Sequence, residues 1–424
     1  MVKIGYVGLG AMGGSLSRHL IGKHELRVLD RNPAAVDNLR QAGAQSSADG
    51  AELARECDII ILCLPRSVVV REAIFGKRGL AEGLAPGKLL IDQTSGVPAQ
   101  TAAIAAELAE YGVMMLDAPV SGGIPAAQAG KVTIIASGPD PGWNRAEPIL
   151  RSMSDKVFRC SDRVGDGQAL KLVNNAIGAG YRMATLELVA LGRKAGLGLV
   201  ELVDALNAGP GANFTSRNML VGLVENRSTT DFALALMIKD LNEALALGAS
   251  TSAAMPITQG ARSLMQIGLN LLGRDAKLDD VIVLTEKLSN VPLRGSEERR
   301  SAALLAQIEL ATVVCNVVAV SECIAMGRRF GLSPAEMTRI LNIGSAWSAV
   351  SEALLAGLAS GTVPELPWCL ADAEAALVGL EVKAAALGTA FLLPAVALNI
   401  VQEAIRQHGG SASLGCITFG FEAA

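Results

Sequence analysis

Two kinds of apolar pattern follow one another along the chain, and the change between them divides it. From residue 2 to about 160, short runs that are mostly apolar recur: VKIGYVG (2–8), LRVLD (26–30), DIIILCLP (58–65), KLLIDQ (88–93), VMMLDAP (113–119), KVTIIAS (131–137) and KVFRC (156–160). Ala-rich amphipathic stretches at 11–22, 33–43 and 98–110 lie between them. Strands lacking polar alternation are buried on both faces, so this order predicts a parallel, doubly wound sheet covered by helices. After about 165 the period becomes helical, first over 168–195 and then over 199–208, 231–250 and 256–270. The fold class expected is an α/β Rossmann-type domain followed by all-α structure.

The helical part reads as occurring twice. ELVALGRKAGL (187–197) and ECIAMGRRFGL (322–332) agree at six of eleven positions, offset by 135. In the same register Glu201, Leu206, Asn207 and Gly209 face Glu336, Leu341, Asn342 and Gly344. The polar stretch VPLRGSEERR (291–300) is the natural joint. Three domains are expected: 1–164 for a dinucleotide, 165–292 for substrate and dimerisation, and 301–424 as a diverged second helical domain. A chain of 424 residues agrees, at roughly 150 per domain.

Composition narrows the function classes. Lys plus Arg is 37 against 41 for Asp plus Glu, giving −4, and aromatics are 3%. Neither a basic surface for nucleic acid or anionic membrane nor stacking platforms for bases are expected. Mean hydropathy is high, +0.38. Apolar stretches such as 310–320 nevertheless carry Asn316 and run into Ser321 and Glu322, so they fall short of about 18 uninterrupted residues and read as buried helices. Seven cysteines without a CxxC suit free thiols in a reducing cytoplasm, and no basic leader follows Met1. Three histidines (His19, His24, His408) leave zinc and histidine-centred catalysis as poor candidates, so no metal site is expected.

Three constellations carry chemistry. GLGAMG (Gly8, Leu9, Gly10, Ala11, Met12, Gly13) follows a strand and opens a helix, with Asp30 at the end of the next strand. Gly8 permits a tight turn, Gly10 lets backbone approach a pyrophosphate, and Gly13 allows close helix–strand packing. Asp30 is placed to accept from the adenine ribose hydroxyls and favours NAD. Arg31 beside it can pair with a 2′-phosphate, so NADP stays open. DAPVSGG (117–123) ends a strand with the Ser121 hydroxyl and the unshielded N–H groups of Gly122 and Gly123, a cluster able to hold a small carboxylate or serve only as a turn. In GDGQALKLVNN (165–175), Lys171, Asn174 and Asn175 share one helical face among apolar neighbours. A lysine so placed can have its pKa lowered by desolvation and exchange a proton, or can simply snorkel. At the offset of 135 stand Ala306, Glu309 and Leu310, so the second copy lacks these groups and is expected to be structural.

In this order GLGAMG, CLP (63–65), DQTS (92–95), DAPVSGG and GxGxxxKxxNN resemble the β-hydroxyacid dehydrogenases, the family of 3-hydroxyisobutyrate dehydrogenase and tartronate semialdehyde reductase, over residues 1 to about 290. The resemblance implies a catalytic Lys171, a substrate-placing Asn175 and a carboxylate held by Ser121, Gly122 and Gly123. It also implies that Leu64 and Pro65 border the cofactor, that Thr94 and Ser95 lie near the nicotinamide, and that Lys239 of the KDL motif closes over that end. The expected reaction is hydride transfer between NAD(P) and a small 3-hydroxy acid or its semialdehyde. A homodimer or a pseudo-dimeric monomer is implied, since helical domains of two subunits commonly pack together in the family. The doubled helical domain is similar to that of 6-phosphogluconate dehydrogenase. A sugar-acid phosphate or imine reductase, and a non-catalytic dinucleotide-binding protein, are the alternatives. Imine-reducing relatives generally lack the lysine.

Overall fold

The computed structural model describes residues 2–295 and 301–423. Contacts divide the chain into two units, Met1–Lys171 and Leu172–Ala424, so the division falls within a helix rather than before it. Of the joint expected at 291–300, residues 296–300 lie outside the described residues.

In the first unit nine strands form one sheet: β1 (Lys3–Val7), β2 (Glu25–Leu29), β3 (Gln45–Ser46), β4 (Ile59–Leu62), β5 (Leu89–Asp92), β6 (Met114–Asp117), β7 (Val120–Ser121), β8 (Thr133–Ser137) and β9 (Lys156–Ser161). Their order is β3-β2-β1-β4-β5-β6-β8-β7, with β9 on β8. The first six strands in that order are parallel and have the dinucleotide-binding arrangement. β8 runs antiparallel to β6 and β7, a reversal within the expected parallel sheet. The apolar strands feed two cores. Ile59 and Ile61 enter one cluster with Ile4, Tyr6 and Leu116, whereas Ile60 and Leu62 enter another with Val7, Leu90 and Met115. Side chains alternate across the pleat, so residues apolar at every position fill both faces. The covering helices are α1 (Ala11–Arg18), α2 (Pro33–Gln41), α3 (Gly50–Glu56), α4 (Ser67–Phe75), α5 (Pro98–Glu110), α6 (Ile124–Gln128) and α7 (Asp140–Met153).

α8 (Asp166–Lys194) carries the chain into the second unit. There α9 (Leu199–Ala208), α10 (Val221–Val224), α11 (Leu234–Ser250), α12 (Pro256–Leu272) and α13 (Val281–Ser289) follow. A second set runs in the same order: α14 (Ala302–Phe330), α15 (Pro334–Leu341), α16 (Ser351–Ser360), α17 (Leu370–Leu387), α18 (Leu392–His408) and α19 (Ile417–Ala423). α8 and α14 are both 29 residues long. Among the described residues α14 alone has the length and hydropathy of a membrane span, yet 67% of its most apolar window is buried inside the molecule. Ala311–Gly327 of α14 are buried without a break, Asn316, Ser321 and Glu322 included, which is the pattern of a core helix.

The two sets touch reciprocally. Glu187 of α8 accepts from the Leu392 and Leu393 amides (3.0 and 2.9 Å) at the start of α18. Glu322, its counterpart on α14, accepts from the Ile257 and Thr258 amides (2.8 and 2.7 Å) at the start of α12. Each carboxylate thus satisfies orphan N–H groups of a helix in the other set. Burial pushes each glutamate up to about 7, against those hydrogen bonds. Asn213 and Ser348, also counterparts, form an antiparallel bridge flanked by Phe214 N–Trp347 O (3.0 Å) and Ala349 N–Ala212 O (2.8 Å). Tyr181 reaches Ser348 as its counterpart Asn316 is reached by Asn213, each at 3.0 Å.

Candidate functional site

The carboxyl edge of the sheet positions the first group of residues. Gly8 has φ +95°, and a Cβ there would lie 2.3 Å from the Cys63 carbonyl; one at Gly13 would lie 2.1 Å from that of Gly8. Both positions demand glycine. Gly10 is exposed, and nothing lies within 4 Å of where its Cβ would be. It is the N-cap of α1 without a side-chain cap, so the first-turn amides of Ala11 and Met12 face an open cradle. That cradle fits a pyrophosphate. Asp30 braces the loop: one oxygen accepts from the Leu9 amide (2.5 Å), the other from that of Asn32 (2.7 Å). Arg31 is exposed and pairs with Glu72 at 3.1 Å.

Leu64 and Pro65 follow β4, and Thr94 and Ser95 follow the adjacent β5. The Leu64 amide donates to Thr94 Oγ1 (3.1 Å), tying these two segments along the same edge. Beyond β6, the short β7 pairs Ser121 with Thr133 of β8. Gly122 then takes φ +135°, which glycine alone adopts readily, and Gly123 caps α6 with backbone only. The Lys171 Nζ donates to Ser121 Oγ at 3.0 Å, uniting the second and third constellations within this unit. Lys171 is 7% exposed, so the ammonium head sits at a sheltered point and not on a solvated face.

Two aspartates that sequence reasoning gave no role hold this corner together. Asp92 and Asp117 end β5 and β6 in register. Asp117 accepts from the Gly165 and Gln168 amides (both 2.7 Å) and from the Ser137 hydroxyl, capping the start of α8. Asp92 accepts from the Thr94 amide (3.0 Å) and Gln168 Nε2 (3.2 Å). Burial raises Asp92 to about 7 and Asp117 to about 6, against these hydrogen bonds. The available signal was a carboxylate closing an otherwise apolar strand, LLID and MMLD.

In the second unit Asn175 Nδ2 donates to Asp240 Oδ2 (2.7 Å), and Lys239 Nζ lies 3.0 Å from Asp240 Oδ1 and 3.3 Å from Glu243. Asp240 joins the two expected residues, and it too was missed although it adjoins Lys239. Lys171 and Asn175 follow one another along α8, one turn apart, as the last residue of one unit and an early residue of the next.

A dinucleotide cradle on a 3-2-1-4-5-6 sheet, followed by a helical unit, defines a nicotinamide-dependent dehydrogenase architecture. A profile for the NAD-binding domain of 6-phosphogluconate dehydrogenase matches residues 3–161, and one described as NAD-binding of NADP-dependent 3-hydroxyisobutyrate dehydrogenase matches residues 165–285. The 3-hydroxyisobutyrate dehydrogenase of Pseudomonas aeruginosa is 33% identical over 275 residues, covering 63% of this chain and 92% of that protein. The structure of the Mycobacterium tuberculosis 3-hydroxyisobutyrate dehydrogenase with L-serine aligns with a TM-score of 0.62 at 29% identity, over 67% of this chain and 98% of that one. Plasmodium falciparum 6-phosphogluconate dehydrogenase shares the fold across 95% of this chain and 92% of its own, TM-score 0.67, at 14% identity. The chain belongs to the β-hydroxyacid dehydrogenase family and is an NAD(P)-dependent oxidoreductase acting on CH–OH.

Proposed function

We propose that this enzyme interconverts a small 3-hydroxy acid and its semialdehyde, with Lys171 as the general acid and base. The observation that carries this reading is the sheltered Lys171–Ser121 contact beside the glycine N–H groups of 122 and 123. Nicotinamide, when bound, accepts or returns the hydride. Gly8 to Gly13 with Asp30 hold the dinucleotide, and Leu64, Pro65, Thr94 and Ser95 border it. Ser121, Gly122 and Gly123 hold the substrate carboxylate, which fixes the carbinol carbon. Lys171 Nζ takes the hydroxyl proton in oxidation and returns it in reduction, a contribution of about 10² to 10⁴ in rate. Asn175 places the substrate and Lys239 closes the nicotinamide side. The Asp30 carboxylate and the engagement of Arg31 with Glu72 favour NAD over NADP. L-serine, held by the tuberculosis relative, is itself a 3-hydroxy acid. Seven free cysteines suit a reducing cytoplasm.

We further infer that 301–424 is a duplicate of 165–292 and stands where a second subunit's helical domain would pack. The matching helix order and the reciprocal glutamates support it. The particle is then a pseudo-dimeric monomer.

The test follows NAD(P)H absorbance with small 3-hydroxy acids (3-hydroxyisobutyrate, glycerate and threonate) and their 3-oxo forms. Wild type turns over one of them, and Lys171→Ala loses most of that turnover while retaining cofactor binding by fluorescence. Near-normal turnover in Lys171→Ala overturns the assignment. Silence across the panel in wild type shifts the reading to a phosphorylated substrate or a non-catalytic role.

A further inference from the structure

The second helical set reaches back to the polar face of the site motif at Asn174. After α15 the chain turns through Gly344, Ser345 and Ala346, and these residues enclose the side chain of Asn174. Asn174 Nδ2 donates to Ser345 Oγ (2.8 Å), Ala346 N donates to Asn174 Oδ1 (3.2 Å), and the Ser345 hydroxyl returns a bond to the Asn174 carbonyl (3.4 Å). The approach depends on two small residues: a Cβ at Gly344 would meet Asn174 Oδ1 at 2.5 Å, and one at Gly178 would meet Ser345 Oγ at 2.9 Å.

From Asn174 the bonds continue. Its Nδ2 also donates to Asn175 Oδ1 (3.2 Å), while Asn175 Nδ2 donates to Asp240 Oδ2 (2.7 Å). An amide held at its oxygen by a donor and at its nitrogen by an acceptor has one orientation rather than two. Asp240 in turn lies 3.0 Å from the Lys239 ammonium. A continuous series of polar contacts therefore runs from Ser345 through Asn174, Asn175 and Asp240 to Lys239, all inside the second unit.

The counterpart contact makes the purpose visible. At the offset of 135, Asn174 becomes Glu309 and the 344–346 turn becomes Gly209, Pro210 and Gly211. Glu309 does pack against that turn and is hydrogen-bonded to the Gly211 backbone. No hydroxyl stands there, and the next residue is Leu310 in place of Asn175. The packing is thus common to both halves, whereas the amide relay is confined to the half that carries Lys171.

We infer that Ser345, supplied by the second helical set, is a positioning residue for substrate: acting through Asn174, it fixes the amide of Asn175. The inference rests on the reading of Asn175 as the substrate-placing group. It assigns the second set a part in the site, beyond scaffolding.

The experiment compares full-length Ser345→Ala, Ser345→Thr, Asn174→Ala and the Ser345→Ala/Asn174→Ala double variant. Losing one such hydrogen bond is expected to raise KM for the hydroxy acid about three- to tenfold, with KM for the dinucleotide unchanged. Ser345→Thr, which keeps the hydroxyl, restores it, and the double variant matches Asn174→Ala alone. An unchanged KM in Ser345→Ala, or additive effects in the double variant, overturns the proposal. The side-chain amide signals of Asn175 in protein labelled with ¹⁵N-asparagine give a readout that needs no turnover. They shift in Ser345→Ala and return in Ser345→Thr; unmoved signals refute the relay. If the signals shift but no hydroxy acid is turned over, the relay stands and the substrate reading fails.

Discussion

Gly10 and Gly13 lie three residues apart, at the N-cap and in the first turn of α1, and the space around them separates their tasks. A methyl at Gly13 overlaps the Gly8 carbonyl, so Gly13→Ala should cost about 1–3 kcal/mol and lower Tm visibly in a thermal scan. A methyl at Gly10 meets nothing in the protein. Gly10→Ala should therefore melt with the wild type, yet bind NAD at least about tenfold more weakly by calorimetry, because the methyl stands where a pyrophosphate must approach. A Gly10 variant with normal affinity would place the dinucleotide elsewhere. Both residues were legible because a turn, a helix start and a following acid constrain the local sequence. Asp92, Asp117 and Asp240 were not, since their partners lie far along the chain: 51 residues separate Asp117 from Gln168, and 65 separate Asn175 from Asp240.

At the scale of elements, the first turn of α8 hangs on one carboxylate. Asp117 holds Gly165, Gln168 and Ser137, and Lys171 stands one turn beyond. Asp117→Asn replaces one acceptor oxygen by a donor facing those donors, which should cost about 2–3 kcal/mol. Since the cap also fixes the helix that carries Lys171, kcat should fall alongside Tm. Preserved kcat with lowered Tm would show that the cap stabilises without positioning. Helix periods were read closely from sequence: α5 runs over 98–110 as expected, and α9 over 199–208. α1 ends at Arg18 rather than 22, because the chain must turn through Gly22 at φ +78° to enter β2. β3 and β7 have two residues each, too few to leave any alternation to read.

For the whole molecule, the reciprocal contacts bear on the proposed pseudo-dimeric monomer and on the pH response. A pseudo-dimeric monomer predicts a mass near 43.8 kDa by light scattering at every concentration tried; twice that mass would reject it. Four buried carboxyls (Asp92, Asp117, Glu187 and Glu322) have folded-state pKa values of about 6 to 7, raised by burial. Between about pH 4, where such groups titrate when unfolded, and about pH 7, these four groups bind more protons in the folded chain than in the unfolded one. Their contribution to stability therefore grows as pH falls from 8 towards 5. Tm should rise over that interval, and less steeply in Glu187→Gln/Glu322→Gln; a Tm that falls on acidification would contradict the burial. The proposed duplication rests in sequence on eleven residues, and the pairing of the two helical sets could not be read there. Glu187 and Glu322 repeat in sequence, while the helix starts that they cap differ, Leu392 and Leu393 against Ile257 and Thr258.

Glu187 finds the amides of Leu392 and Leu393 across 205 and 206 residues. On a ribosome adding about 5–20 residues per second, that carboxylate waits on the order of 10–40 s after its own synthesis before its acceptors are filled. The sheet domain can close while translation continues, but the part of α8 around Glu187 must spend this interval without the start of α18. A nascent chain of this design is a natural client for holding chaperones, and slowing translation past residue 300 should reduce the soluble yield.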